Sequence, residues 1–298
     1  MRISSTRNPN LFYVDWWLMN HNSRRASYEH ELLHCGNIDL PYLKDCKRFI
    51  DQTTLFSSRL NKQVDVNFTG GEVTEWEDFS DLLAYCKNQN CRVRFITNAT
   101  ATMSTLTEVF KSSDSVIIEV HPEFSNIGHL LFALQTAVKS NLEILVNINM
   151  LPDYWNEMED LYDKISQRHP TIFLNKKIVF EDPVFNTTPK DYNEEQIIAL
   201  KEQQGNIKIE HGSDVSYTDF QTMIIEKTNR FRGYKCWAGV EQIIVDAWGR
   251  VYRGHCRKNG FMGYLKDLEL FWYDTPMICE VEACVNHFDI QATKQSFE

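Results

Sequence analysis

Four cysteines near the C-terminus are the residues of this 298-residue chain best suited to chemistry. They are Cys236, Cys256, Cys279 and Cys284, and the other four cysteines are scattered through the first third of the chain. The N-terminal segment has no apolar stretch of the kind found in a signal peptide, so we expect reduced thiols and a cytoplasmic location. Four thiolates in two separated pairs suit one tetrahedral site for zinc or an iron–sulfur cluster. Buried cysteines without a metal are the other interpretation.

A second candidate metal site is the segment HELLH at residues 30–34, which matches the pattern HExxH. On a helix, His30 and His34 would share one face and could bind zinc, with Glu31 as the general base. No third ligand is obvious, and so short a pattern also arises by chance. The segment is therefore kept as an alternative.

Apolar strands alternate with amphipathic helices along the first two thirds of the chain. The predicted strands cover residues 11–18, 63–70, 91–97, 115–120, 142–150 and 176–181. This alternation predicts a parallel sheet with right-handed crossovers, and six units predict a partial barrel. In such a barrel the functional residues follow the carboxyl ends of the strands. A polar connector comes next, and then two short strands joined at Trp248–Gly249, which predict a hairpin.

Charge and hydropathy exclude two classes of partner. The net charge is −10, whereas a protein that binds nucleic acid concentrates positive charge on one surface. The sequence has no apolar run of about 18 residues, so no membrane span is expected. The composition, with 43% hydrophobic residues, is that of an ordinary globular protein.

The predicted second strand ends in FTGGE at residues 68–72. This segment is similar to the GGE motif of the radical S-adenosylmethionine (SAM) superfamily. The resemblance implies that Glu72 and the backbone of Gly70 and Gly71 contact the amino group of SAM. Glycine permits close approach of the backbone, and a carboxylate pairs with an ammonium. Three polar residues at later strand ends resemble positions that line the SAM and substrate cavity: Asn98, Glu119 and Asn147.

The sequence departs from this family after the first strand. The family has CxxxCxxC there, whose three thiolates bind three irons of a [4Fe–4S] cluster. The corresponding positions in this chain are Asn22, Ala26 and Glu29. Alanine has no donor atom, and asparagine is a poor ligand for iron–sulfur clusters. Without the cluster no one-electron donor is available to cleave SAM, so we expect radical chemistry to be lost.

The C-terminal cysteines and the hairpin between them resemble a SPASM/twitch domain. That resemblance implies one [4Fe–4S] cluster at Cys236, Cys256, Cys279 and Cys284. Zinc in the same cage is the alternative, because thiolates serve both metals. We therefore expect an α/β fold with a partial (βα)6 TIM-like barrel over residues 1–215. A small SPASM/twitch-like iron–sulfur domain is expected over residues 216–298.

The function predicted from these features is that of a pseudoenzyme of the radical SAM fold. It would bind a peptide or protein partner, an active radical SAM enzyme being one candidate, and would bind SAM only weakly. The alternative is an enzyme that uses another metal, with His30 and His34 as ligands, or non-radical SAM chemistry in the barrel cavity. A third hypothesis is an active radical enzyme that recruits cysteines from elsewhere in the chain.

Overall fold

A computed structural model describes residues 1–29, 40–181, 189–201 and 205–297. The HELLH segment, with Cys35, lies outside the described residues. The strands are β1 (Arg2–Ser5), β2 (Leu11–Met19), β3 (Gln63–Gly70), β4 (Arg92–Thr97), β5 (Ser115–Val120), β6 (Glu143–Asn149), β7 (Phe173–Lys177), β8 (Ile207–His211), β9 (Asp214–Thr218), β10 (Lys235–Cys236), β11 (Gln242–Val245), β12 (Arg250–Tyr252), β13 (Phe261–Tyr264), β14 (Met277–Ile278) and β15 (Lys294–Gln295). The helices are α1 (Leu43–Arg59), α2 (Phe79–Asn88), α3 (Met103–Lys111), α4 (Ile127–Lys139), α5 (Trp155–Arg168), α6 (Glu194–Lys201), α7 (Phe220–Ile225) and α8 (His287–Ile290).

Six consecutive strands form the predicted parallel sheet. Strands β2 to β7 pair in chain order, and every neighbouring pair is parallel. A helix connects each strand to the next, from α1 after β2 to α5 after β6. The predicted α/β class and the partial barrel of six strands are therefore confirmed.

Side chains alternate between the two faces of this sheet, as the pleat of a strand requires. On β3, Val64, Val66 and Phe68 are buried in the main apolar core, whereas Asp65 and Asn67 line the interior of the barrel. A chain of aromatic ring contacts runs through the core, from Trp16 on β2 through Phe68, Phe79 and Phe95 to Phe110 on α3. Apolar burial thus faces the helices, and polar groups face the barrel interior.

The C-terminal segment extends the barrel sheet. Strand β11 pairs in parallel with β2, and β12 and β13 continue the sheet by antiparallel pairing. The predicted hairpin at Trp248–Gly249 joins β11 to β12. The N-terminal strand β1 in turn lies between β15 and β8 in a second, six-stranded sheet. Segments from both ends of the sequence therefore meet in the sheet beside the barrel.

Two elements differ from the expectation. The sixth barrel strand covers Phe173–Lys177 and not residues 176–181. The prediction followed the apolar residues Val179 and Phe180, which are buried but come after the strand, whereas the inward positions of the strand itself are polar. The connector expected around one helix also contains β8 and the start of β9, which pair as a hairpin. Most side chains of β9 are exposed, so this hairpin has little of the apolar patterning by which a strand is predicted.

Among the described helices, none is long and apolar enough to cross a lipid bilayer.

Candidate ligand-binding cavity

The interior of the barrel is a cavity of about 1060 Å³. It is lined by inward-facing residues of β2 to β7 and, on the other side, by His287 and Phe288 of α8. A cavity of this size holds a large cofactor or a short peptide segment. Of the six residues predicted to bind a cofactor, Gly70, Glu119 and Asn147 line the cavity, whereas Gly71, Glu72 and Asn98 do not.

Glu119 is the centre of a polar network on β5, β6 and β7. Its carboxylate accepts hydrogen bonds from Asn147 Nδ2 at 2.7 Å, from Asn149 Nδ2 at 3.3 Å and from Lys177 Nζ at 2.8 Å. Burial would raise the pKa of Glu119, but the charge and hydrogen bond of Lys177 together with the hydrogen bond from Asn147 hold that pKa below its ordinary value. The carboxylate is thus ionised and fully engaged within the protein. The structure thus brings together Glu119 and Asn147, which the resemblance assigns to the lining of one cavity, and adds Lys177, which the sequence did not single out.

His121 follows β5 and contacts the loop that comes after β2. Its Nδ1 lies 2.9 Å from the hydroxyl of Tyr28, and the two rings are stacked. Its Nε2 lies 3.8 Å from Glu29 Oε1. Burial lowers the pKa of His121 to about 4, and burial raises the pKa of Glu29. His121 is therefore a neutral imidazole at pH 7, with Tyr28 and Glu29 beside it at the cavity wall.

Glu72 is turned into the protein, away from the cavity. It is 1% exposed, and its carboxylate accepts hydrogen bonds from Thr74 N at 3.2 Å, Thr74 Oγ1 at 2.5 Å, Thr97 Oγ1 at 2.7 Å and Asn98 N at 2.7 Å. Burial raises its pKa despite these four donors. The side chain thus connects the end of β3 to the end of β4, and its carboxylate oxygens accept their hydrogen bonds from the protein itself.

The loop after β2 folds back over the two glycines. Gly71 N donates to Met19 O at 2.7 Å, and Glu72 N donates to His21 O at 2.8 Å. A Cβ on Gly71 would overlap the carbonyl of His21, and one on Gly70, where φ is +121°, would overlap the ring of Trp17. Glycine is therefore required at both positions for the close approach of this loop. The amide groups that the resemblance assigns to SAM bind the chain itself.

The three positions that correspond to CxxxCxxC are also engaged internally. Asn22 Oδ1 accepts from Asn98 Nδ2 at 3.2 Å. Ala26 is completely buried, and its backbone N–H donates to Glu29 Oε2 at 2.8 Å. These residues do not fit the cluster that the family holds there, because they offer no thiolate and are bonded to one another and to the strand ends.

A second buried pair joins the barrel to the C-terminal segment. Asp15 on β2 lies 2.8 Å from His255 Nε2 and accepts from Asn67 Nδ2 at 2.6 Å. Burial opposes ionisation of both groups, but their mutual attraction raises the pKa of His255 and lowers that of Asp15. The buried Asp15 is thereby explained as the partner of a histidine that is 240 residues away in the chain. No sequence pattern pointed to this pair.

Of the four C-terminal cysteines, Cys236 and Cys279 are brought close by strand pairing, and Cys256 is hydrogen-bonded to α8. Cys236 is in β10, which pairs with β14 on one side and β15 on the other. Cys279 follows β14, and its N–H donates to Tyr234 O at 2.8 Å. Cys256 N donates to Asp289 Oδ2 at 2.9 Å. Burial raises the pKa of the Cys256 thiol to about 11 and also raises that of Cys279.

The thiols converge without forming a closed cage. A thiolate at Cys236 would raise the pKa of each of the other three thiols further, so the four are close enough to interact through their charges. Nevertheless, in the described part of the chain no three His, Cys, Asp or Glu side chains are grouped so as to hold a metal ion. The buried ammonium of Lys294 also faces these thiols and donates to backbone carbonyls of α8 and the turn after it.

Comparison with protein-family models and with curated protein sequences finds no match. Solved structures do resemble the chain. Histidine-tagged anSMEcpe with bound AdoMet (SAM) superimposes with a TM-score of 0.57 and 13% identity over 87% of this chain and 79% of that one. Native anSMEcpe with AdoMet and the Kp18Cys peptide gives 0.55 and 12% over 87% and 78%. The same protein with the Cp18Cys peptide gives 0.53 and 11% over 88% and 79%. The chain therefore has the α/β fold of the radical SAM enzymes.

Replacing Glu72 with glutamine tests whether this side chain is structural. The glutamine would set an NH₂ group against the donors of Thr74, Thr97 or Asn98, so we expect the free energy of unfolding to fall by about 2 kcal/mol. The matched control is Glu77→Gln at an exposed position, which should change it by less than about 0.5 kcal/mol. Urea unfolding measures both. Equal stability of the two variants would show that the carboxylate does not tie the strand ends together.

The buried His121 predicts a dependence of stability on pH. Its pKa in the folded protein is about 4 against an ordinary 6.5, so the unfolded chain binds the proton first and stability falls as the pH drops from 6.5 towards 4. At pH 4 the protonation of His121 in the unfolded chain should have lowered the free energy of unfolding by about 3 kcal/mol. His121→Gln should therefore flatten the decline, while His287, whose pKa burial also lowers to about 4, keeps part of it. An unchanged slope in the variant would contradict this assignment.

Proposed function

We propose that this protein binds a peptide in its barrel cavity and does not cleave SAM. It is a non-catalytic member of the radical SAM fold. The observation that carries the proposal is the state of the loop after β2. Asn22, Ala26 and Glu29 replace the three thiolates, and each is hydrogen-bonded within the protein.

The loss of the thiolates removes the chemistry for which the barrel is otherwise built. Reductive cleavage of SAM needs an electron from a cluster, and a cluster needs thiolate ligands. The methyl side chain of Ala26 is fully buried, so ligation at this position would require both a different residue and a different loop conformation. The carboxylate of Glu29 is a hard oxygen donor that does not replace a soft thiolate.

SAM binding is expected to be weak for a related reason. The resemblance assigns the amino group of SAM to Glu72 and the backbone beside it, but Glu72 already accepts four hydrogen bonds. The N–H groups of Gly71 and Glu72 donate to the loop. To bind SAM, these groups would have to break their hydrogen bonds within the protein and form new ones to the ligand. Such an exchange contributes little net binding free energy. We expect SAM to bind with a dissociation constant no lower than tens of micromolar, which corresponds to a binding free energy of about −6 kcal/mol.

The cavity itself supports a peptide as the ligand. Its volume of about 1060 Å³ and its mixture of aromatic and charged walls suit an extended segment of a few residues. Structures of the same fold hold Kp18Cys and Cp18Cys peptides together with AdoMet. The polar groups at the strand ends would then serve to bind and orient a peptide in place of supporting a radical reaction.

The C-terminal cysteines are proposed to hold one metal centre, either a [4Fe–4S] cluster or zinc. Support comes from their residue type, from the pairing of β10 with β14 that brings Cys236 close to the segment of Cys279, and from the interaction of the four thiols through their charges. The thiols would have to move closer together to close the cage, because no such group is formed among the described residues. A metal here would stabilise the short strands of this region, since metal-binding energy in such small units is folding energy.

The first test is the reaction that the proposal excludes. Anaerobically reconstituted protein, incubated with SAM and dithionite, should form no 5′-deoxyadenosine above the level of a heat-denatured sample. An active enzyme that carries CxxxCxxC serves as the positive control in the same assay. Formation of 5′-deoxyadenosine by this protein would refute the proposal, since it requires a working cluster.

The second test concerns the cysteines. Each of the changes Cys236→Ser, Cys256→Ser, Cys279→Ser and Cys284→Ser should remove most of the bound iron or zinc and lower the melting temperature. Cys86→Ser is the control, because Cys86 is a fully buried thiol on the core-facing side of α2. Metal and sulfide are measured per chain. Equal metal loss from the control, or retention in all four variants, would contradict the assignment.

A further inference from the structure

Arg7 stands out among the charged residues of the cavity because no carboxylate of the described residues forms an ion pair with it. It lies between β1 and β2 and lines the cavity. Its hydrogen-bond partner there is Gln242 Oε1, which accepts from Nη1 at 3.1 Å. A guanidinium has five N–H donors, so most of its hydrogen-bonding capacity is not used by the part of the chain that the structure describes.

Aromatic rings hold the Arg7 guanidinium in a fixed orientation. Its Cζ lies 4.6 Å from the ring centroid of Tyr13 and 4.6 Å from that of Phe288. Both rings also line the cavity. Cation–π contacts occupy the faces of a guanidinium and leave its edges for hydrogen bonds in the plane. The arrangement is therefore a preorganised fork at the cavity wall.

The cavity carboxylates that act on the charge of Arg7 are paired with other residues. Asp15 is paired with His255, and Asp65 is paired with Arg92 at 3.6 Å and Arg94 at 3.5 Å. Neither carboxylate forms an ion pair with Arg7, although the charges of both favour its protonated form. Further along the cavity, Glu119 is paired with Lys177.

A second cation adds to the positive charge at this position. Burial and then the charge of Arg94 lower the pKa of Arg7 from 12.5 to about 10, which leaves Arg7 positively charged at pH 7. His287 lies nearby, and burial followed by the charge of Arg7 lowers its pKa to about 4. His287 is therefore neutral and does not add a third positive charge. Asp65 pairs with Arg94, whereas no carboxylate of the described residues forms an ion pair with Arg7, so the charge of Arg7 is not neutralised by a direct partner.

We propose that Arg7, with Arg94 behind it, forms a subsite for a carboxylate of an acidic peptide, held by the fork of Arg7 between Tyr13 and Phe288. This inference rests on the proposed peptide-binding function and adds the class of peptide. A planar carboxylate matches the two parallel N–H groups of a guanidinium. A phosphate dianion matches less well, because Asp15 and Asp65 are near enough to repel a second negative charge.

The test uses two capped pentapeptides that are identical except for one central residue, glutamate in the first and glutamine in the second, with alanine elsewhere. Their dissociation constants are measured by NMR titration of the backbone amides of the intact chain. The glutamate peptide should bind at least about tenfold more tightly, as expected for a charge-assisted bidentate pair. Arg7→Gln should abolish this preference. Arg2→Gln, which removes an exposed arginine of β1, should keep it.

A conservative variant, Arg7→Lys, and the melting temperature of each variant show whether a loss of binding comes from misfolding. The lysine keeps the charge but not the fork, so this variant should still prefer the glutamate peptide, with severalfold weaker binding. Inorganic phosphate should compete only weakly with the glutamate peptide at neutral pH.

Equal binding of the two peptides would overturn the carboxylate subsite and leave the peptide-binding function standing. Displacement of the glutamate peptide by an equal concentration of phosphate would replace the carboxylate with a phosphate ligand and also overturn the inference. Failure of both peptides to bind at concentrations up to about 10 mM, a free energy of only about −3 kcal/mol, would contradict the peptide-binding function and this inference with it.

Discussion

After β2 the chain turns back across the carboxyl end of β3 and forms two short backbone hydrogen bonds there. Met19 O and His21 O accept from the amides of Gly71 and Glu72. The contact is so close that any side chain at position 71 would overlap His21. Because parallel strands present their functional loops at one edge, this contact decides what the edge can bind. It brings the loop down onto the glycines and consumes the backbone donors beside them.

Two further features depend on that contact. With the loop held against β3, the side chain of Glu72 turns inward, where Thr74, Thr97 and Asn98 satisfy it. The loop residues then bond to each other and to the strand ends, as Ala26 does with Glu29. This end of the barrel is thereby closed by the protein's own groups. The rest of the barrel remains a cavity whose walls carry paired charges, together with Arg7, which has no carboxylate partner among the described residues.

The fold was predictable because it follows from local patterns. Alternating apolar residues gave five of the six barrel strands to within a residue or two. The resemblance singled out Glu119 and Asn147, and the structure joins these two residues of β5 and β6 by a hydrogen bond. The sixth strand was predicted a few residues too late, because Asn175 and Lys177 point into the cavity and make the true strand polar.

The orientation of Glu72 was not predictable, since a motif gives a residue type and does not say which donors surround it. The pairs of Asp15 with His255 and of β2 with β11 join residues more than 200 positions apart, and no short-range pattern encodes them. Arg7 gave no signal either, because it lies in a polar N-terminal segment.

The most direct test of the account is an electron paramagnetic resonance experiment on the anaerobically reconstituted and reduced protein, recorded with and without SAM. In a radical SAM enzyme, SAM binds the iron that the three cysteines leave free, so its addition alters the environment of that cluster. We propose that Asn22, Ala26 and Glu29 hold no such cluster, so the spectrum should be identical in both samples, whatever signal the C-terminal cysteines contribute. A signal that changes on addition of SAM would show that the barrel holds a SAM-binding cluster and would contradict the account.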